Sequence, residues 1–255
     1  MISKIKNKIK RDGVLSLLVA VIKYPFQYRR HILYRGMLGL NSSKEKFSDI
    51  YKHNLWSSAE SVSGEGSEIS YTAPLRRWLI ENINLLNVKT FVDAPCGDFN
   101  WMKLVLPEVN INYIGLDIVD KVIEQNQALY GSDQIKFGVA NICEDKLPDC
   151  DIVMVRDCLF HLSYEDINNF LLNLSKTDYK YLLTTTHMVD QNFENSNIIT
   201  GDFRLIDLFS GPFYFDSAKV KVRVEDFPEG YSLKREMILV EKDFVPTQLA
   251  KLAPH

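Results

Sequence analysis

Cysteine is sparse in this sequence and forms no pattern. Cys96, Cys143, Cys150 and Cys158 show no C-x-x-C spacing and no histidines at metal-ligand intervals, which argues against a disulfide framework or a zinc site and for reduced thiols. Long apolar runs are missing too. The stretch "GVLSLLVAVI" at 13–22 has about ten residues where a spanning helix needs roughly 20, and no small-residue cleavage site follows it. A surplus of charge is also absent: the formal net charge is −3, so no general attraction to nucleic acid is expected. There is no internal repeat and no low-complexity tract. Most telling is a shortage of glycine at one place, the turn "FVDAPCGDFNWM" (91–102), where a single glycine stands and a dinucleotide fingerprint needs three.

What charge there is lies unevenly. Residues 1–35 hold nine Lys or Arg against the single acid Asp12, which leaves the remainder acidic. Such a leader is a solvated arm, a core helix, a partner-docking helix, or an interfacial helix on anionic lipid.

Beyond it, "EKFSDIYKHNLW" places Phe47, Ile50, Tyr51 and Leu55 at helical spacing. The loop "SSAESVSGEGSEIS" follows, and then a helix that Thr72 can cap, with Pro74 in its first turn and Leu75, Leu79, Ile83 and Leu86 on one face. Strands and helices alternate after that: "KTFVDA", helix "DFNWMKLVL", "NYIGLDI", helix "DKVIEQNQALYG", "IKFGVANI", "DIVMVRD", helix "YEDINNFLLNLSK" and "YKYLLTTT". This order predicts a mainly parallel sheet covered on both faces. "KVKVRVEDF" and "REMILVEK" are expected as its antiparallel edge.

In such a sheet the ligand sits outside the carboxyl ends of the strands, beside the first one. A pyrophosphate there would meet Asp93 and Asp98 with like charge and would find only Gly97 for a close backbone approach. A cationic ligand reverses the sign. S-adenosylmethionine carries a sulfonium and an α-ammonium group, which a carboxylate at the end of the first strand can serve. Asp117, twenty residues beyond Gly97 at the end of the second strand, suits ribose hydroxyls, with Ile118 next to it. Asn141 and Ile142 fall where an adenine edge would lie. In the plainer alternative Asp93 and Asp98 are turn and N-cap residues.

The segments "VDAPCGDFNWM", "YIGLDI", "FGVANICEDKLP", "DIVMVRDCLFHLS" and "YLLTTT" together resemble the class I S-adenosylmethionine-dependent methyltransferases, over about residues 44–242. "IYKHNLWSSAESVSGEGSEISYT" and "GDFRLIDLF" look like a bacterial small-molecule subgroup associated with decorating cell-surface polysaccharides. The chain departs from the family's D-x-G-x-G-x-G at Pro95 and Phe99, and has Asn141 where an acid is usual. The resemblance implies an α/β Rossmann-like fold with a mainly parallel seven-stranded sheet, helices on both faces and an N-terminal helical extension. The expected organisation is a basic helical arm (1–43), a helical lid (44–87), the Rossmann-like domain (88–245) and a tail (246–255). It further implies S-adenosylmethionine as cofactor, S-adenosylhomocysteine as product, and a lid with Trp56, Gly64, Gly66, Ser67 and Thr72 closing over them.

Methyl transfer to a hydroxyl needs alignment and a general base. The fourth strand delivers Arg156, Asp157 and His161 to the cofactor edge. His161 is the expected base, oriented by Asp157 four residues earlier on a shared helical face. His187, directly after the fifth strand, is the rival base. Asp157, His161 and Asp202 could alternatively bind a divalent ion. Asp202 and Arg204 are expected to read the substrate, Arg204 by gripping a phosphate of a sugar nucleotide, or else to pin their loop as a pair. The expected product is an O-methylated carbohydrate or related polar small molecule; N-methylation and transfer to a phosphate oxygen remain open. In the other reading the chain is a non-catalytic module that docks to a glycan-assembly complex or membrane through its basic arm.

Overall fold

The computed structural model describes residues 28–250; the basic leader 1–27, its apolar run 13–22 and residues 251–255 lie outside the described residues. Helix α1 covers residues 28–38 of the described chain. Then follow α2 (Ser43–His53), α3 (Ala73–Asn82), β1 (Thr90–Asp93), β2 (Asn112–Asp117), α4 (Asp120–Tyr130), β3 (Ile135–Val139), β4 (Cys150–Val155), α5 (Tyr164–Leu174), β5 (Tyr179–His187), β6 (Val220–Glu225) and β7 (Arg235–Glu241). Among the described residues no helix is long and apolar enough to cross a membrane.

Local chemistry sets the helix starts. Ser42 and Glu45 form a reciprocal capping box on α2, and Ser163 caps α5 by accepting from the Asp166 amide. Thr72 does not cap α3. Its buried hydroxyl donates to the Glu68 carbonyl and accepts from Arg76 Nε.

The seven strands lie in the order β3-β2-β1-β4-β5-β7-β6. The first five are parallel; β7 runs antiparallel to β5, and β6 to β7. Alternate residues of the central strands feed two separate cores, because side chains leave a strand on opposite faces in turn. Val92, Val153, Val155 and Leu182 pack with Ile167, Phe170 and Leu174 of α5. Phe91, Ile152, Met154 and Leu183 pack with Leu75 and Leu79 of α3. Chain order reverses between β1 and β4, so a crevice opens there at the carboxyl edge.

One expected helix is not formed. Residues 98–106, read above as helical, make turns and a short 3-10 helix at Met102–Leu104, with a second at Leu106–Glu108. The backbone takes left-handed angles at Gly97 (φ 55°) and Phe99 (φ 57°), which no α-helix can include. The buried ring of Phe99 explains why a bulky residue holds this angle. It packs 5.3 Å from Tyr113, 5.0 Å from Tyr130 and 5.0 Å from Phe137 between ring centroids. Phe99→Ala should therefore cost about 3–5 kcal/mol in urea unfolding, the range for a buried Phe; a loss under about 1 kcal/mol would contradict this account.

Candidate active site

A cavity of about 360 Å³ lies at the carboxyl ends of β1, β2, β3 and β4, under the loop 57–71. From the sheet side Asp93, Pro95, Gly97, Asp117, Ile118, Asn141, Ile142, Arg156 and Asp157 line it. Trp56, Gly64 and Ser67 line it from the lid side, and His161 and Phe203 from beyond β4. Thr72, His187, Asp202 and Arg204 do not line it.

The turn after β1 is tied at each peptide. The Cys96 amide donates to the Leu116 carbonyl (2.8 Å) and the Gly97 amide to Asp117 Oδ2 (3.1 Å). Asn126 of α4 donates to the Gly97 carbonyl at 2.8 Å. A Cβ on Gly97 would stand 2.3 Å from Ser63 Oγ, so the lid crosses the turn at a distance only glycine permits.

The acids of this turn part company. Asp98 faces away from the cavity, against the expectation that it meets the ligand. Its carboxylate accepts from Ser61 Oγ (2.8 Å) and from the Val62 amide (3.0 Å), and so anchors the lid. Asp93 and Asp117 face inward. Asp93 is buried, and among the described residues its carboxylate accepts from the neutral Tyr113 hydroxyl at 2.7 Å. Burial pushes its carboxyl up to about 7, against the Tyr113 hydrogen bond and the Arg156 charge. Asp117 is pushed up to about 6 by burial, restrained by the amides of Val119 and Gly97. Neither pairs with a cationic side chain among the described residues.

Every arginine that lines the cavity is already paired. Arg156 Nε lies 2.9 Å from Asp226 Oδ2, and its Nη1 lies 3.4 Å from Asp157. Arg235, at the start of β7, meets Asp157 Oδ2 at 2.6 Å and Asp226 Oδ2 at 3.4 Å. Burial alone would lower the Arg156 pKa, but Asp157 and Asp226 outweigh it and raise it. Arg156 Nη2 also donates to the lid carbonyl of Gly66 at 2.7 Å. A Cβ on Gly66 would come within 2.6 Å of Asp157 Oδ2 and 2.8 Å of Arg235 Nη2, so the lid lies directly on this quartet. The sequence reading missed Asp226 and Arg235. Their only signal was charge at the two mouths of apolar β-runs.

Asp157 therefore does not orient His161. Its backbone is left-handed (φ 53°) and the chain continues into a 3-10 turn, Leu159–His161, so no helical face joins the two. The acceptor for His161 Nδ1 is the backbone carbonyl of Asp202, at 2.8 Å. A carbonyl only accepts, so Nδ1 carries the proton and Nε2 keeps its lone pair. Burial holds the His161 pKa below its ordinary value, which keeps the ring neutral. The Asp202 carboxylate is occupied by the Tyr34 hydroxyl of α1 at 2.8 Å. Tyr34 thus fixes the loop that fixes the imidazole.

His187 is arranged otherwise. Its Nδ1 accepts from the Ile206 amide at 3.1 Å, so that lone pair is spent, and its Nε2 is buried without a partner among the described residues. Burial takes its pKa down to about 4. It supports the loop 204–208 and does not line the cavity. Arg204 is buried against the Tyr164 ring, 5.0 Å from its centroid, and donates to the Leu159 carbonyl; it neither reaches the cavity nor pairs with Asp202. Among the described residues no three His, Cys, Asp or Glu side chains are grouped to hold a metal ion.

No protein-family model and no curated protein matches the chain. Solved structures do. Human N-acetylserotonin methyltransferase in complex with S-adenosylmethionine aligns with a TM-score of 0.55 at 14% identity, over 86% of this chain and 68% of that one. PigF with S-adenosylhomocysteine aligns with a TM-score of 0.56 at 12% identity, over 90% and 73% of the two chains. The S-adenosylmethionine-dependent methyltransferase SibL, in its apo form, gives 0.51 at 13% identity, over 92% and 76%. The chain has the methyltransferase fold. At these identities the likeness is one of architecture.

The folded pKa of Asp93 exceeds its unfolded value of about 3.9. The stability it lends by holding a proton is full below that value and is lost as pH rises through about 7. Asp93→Asn, which keeps an acceptor for Tyr113 and no charge, should gain on wild type in urea midpoint between pH 5 and 8. A difference that stays flat over that range would count against a buried, raised carboxyl.

Proposed function

We propose that the protein is an S-adenosylmethionine-dependent O-methyltransferase acting on a hydroxyl of a small organic acceptor. The observation that carries this reading is the pair of inward carboxylates. Asp93 and Asp117 open into a lidded cavity at the switch point of the sheet, and neither forms an ion pair with a cationic side chain among the described residues. The cavity acids Glu65, Asp93, Asp117 and Asp157 face two arginines that Asp157 and Asp226 already neutralise, so the site favours a cationic ligand and rejects a diphosphate.

The residues present fit the cofactor that the fold family uses. Asp93 would serve its ammonium group, Asp117 its ribose hydroxyls, and Asn141 and Ile142 its adenine. Gly97 and Gly66 leave the room that a side chain would fill, and Trp56, Gly64 and Ser67 would close over it. Bound S-adenosylmethionine supplies a methyl group whose bonding pair to sulfur stays behind as the acceptor oxygen takes the carbon. The protein contributes alignment and a proton sink: His161 Nε2, unprotonated at neutral pH, receives the hydroxyl proton, while the Asp202 carbonyl stabilises the imidazolium through Nδ1. A sugar nucleotide suits the cavity poorly, since its phosphates would meet acids and, among the described lining residues, no unpaired cation.

Titration calorimetry should show S-adenosylmethionine binding and no binding of NAD. Affinity should rise between pH 5.5 and 7.5, as Asp93 and Asp117 release the protons that compete with the cation; NAD binding alone would reverse the proposal. With a working acceptor, His161→Ala should lose about 10²-fold or more in kcat with cofactor affinity near wild type. Tyr34→Phe should lower kcat more than KM and shift the acid limb of the pH profile, because the imidazole loses its fixed acceptor. Normal turnover in His161→Ala would remove it as the base.

A further inference from the structure

The chemistry of methyl transfer leaves the acceptor open; the walls around His161 restrict it. The imidazole lies 5.2 Å from the Trp56 ring at an interplanar angle of 31°, 4.6 Å from Phe160 and 5.9 Å from Phe203. Phe47 extends this wall 6.4 Å beyond Trp56, and Phe203 is 45% exposed at the rim. The two acids nearest this end are held by the protein. The Asp202 carboxylate is taken by Tyr34 and by the Phe203 amide, and Asp157 by Arg156 and Arg235. Among the described residues that line the cavity, an anionic substituent would meet no unpaired cation; Arg204, which has no acid partner, lies outside the lining, against the Tyr164 ring.

We propose that the acceptor end of the cavity takes an uncharged planar ring carrying its hydroxyl on the ring itself, a phenol, placed against Trp56 and Phe203 with the oxygen toward His161. This rests on the methyl-transfer reading and narrows it. Flat apolar faces suit ring stacking, worth more than the buried area alone. A wall of rings makes a sugar costly, because hydroxyls set against it would be desolvated without partners. Proton affinity points the same way. A phenol ionises near pH 10 and an aliphatic alcohol near about 16, close to water. His161, held by burial below its ordinary basicity, is far better matched to the first. In the step, the ring O–H bond breaks and its proton moves to His161 Nε2. The oxygen pair forms the new O–C bond, and the pair of the broken S–C bond stays on sulfur. The imidazolium proton then leaves to water.

The test uses the full-length chain with S-adenosylmethionine and three acceptor sets: substituted phenols including 4-nitrophenol, neutral alkyl glycosides, and sugar nucleotides. Methyl transfer is read by mass, and 4-nitrophenol binding by calorimetry on protein loaded with S-adenosylhomocysteine. The expected result is a kcat/KM for phenols at least about tenfold above both other sets. Phe203→Ala should weaken 4-nitrophenol binding about tenfold and leave S-adenosylmethionine binding unchanged. Preference for glycosides or sugar nucleotides overturns the proposal. So does cofactor binding with no phenol bound or methylated, which leaves the cofactor reading standing. Failure to bind S-adenosylmethionine would instead remove the reading on which the proposal depends.

Discussion

Two arginines and two aspartates, buried together at the carboxyl edge of the sheet, hold the site in its working shape. Arg156 and Asp157 come from the end of β4, Arg235 from the start of β7, and Asp226 from the chain just past β6. The quartet is neutral in sum, which makes its burial tolerable, while loss of one member would leave an uncompensated charge. It joins the parallel half of the sheet to the antiparallel edge, and through Arg156 and the Gly66 carbonyl it joins both to the lid. It also removes from the cavity the positive charge its arginines would otherwise present.

The rest of the electrostatics follows. With the arginines paired, Asp93 and Asp117 face the crevice without an ion-pair partner among the described residues, and burial raises the pKa of both. Asp98, three residues from Pro95 on the same turn, does not line the cavity and is spent on Ser61 and Val62. One short turn thus splits its two acids between a ligand-facing and a lid-anchoring duty. The imidazole end is built on the opposite plan, with apolar rings and a backbone acceptor in place of charge.

Much of this architecture was legible in the residues. The strands alternate cleanly, and β1 to β5 with helices α4 and α5 stand where periodicity puts them; the edge pair "KVKVRVEDF" and "REMILVEK" also pairs antiparallel. The segment 98–106 misled because Trp101, Met102 and Val105 have helical spacing, yet they fill the core beneath α3 from a coiled path set by Gly97 and Phe99. At the site, the residue types were readable and their orientations were not. Whether Asp98 looks in or out depends on a lid 36 residues away. The acceptor for His161 is a backbone carbonyl, which any residue at position 202 would offer, so no side chain announces it. Asp226 and Arg235 matter through contacts across 70 or more positions, as in Arg156 with Asp226, and such pairing leaves no local pattern.

Cys96, Cys143 and Cys158 all border the cavity. Under the proposed reaction that cavity presents an alkylating agent, and a thiolate is a stronger nucleophile than any oxygen brought there as substrate. Burial, reinforced by neighbouring acids, pushes all three thiols up, Cys143 to about 12 and the others well above the ordinary range. They stay protonated and inert. The acidic, desolvated surroundings proposed to attract the methyl donor would thereby shield the protein from modifying itself.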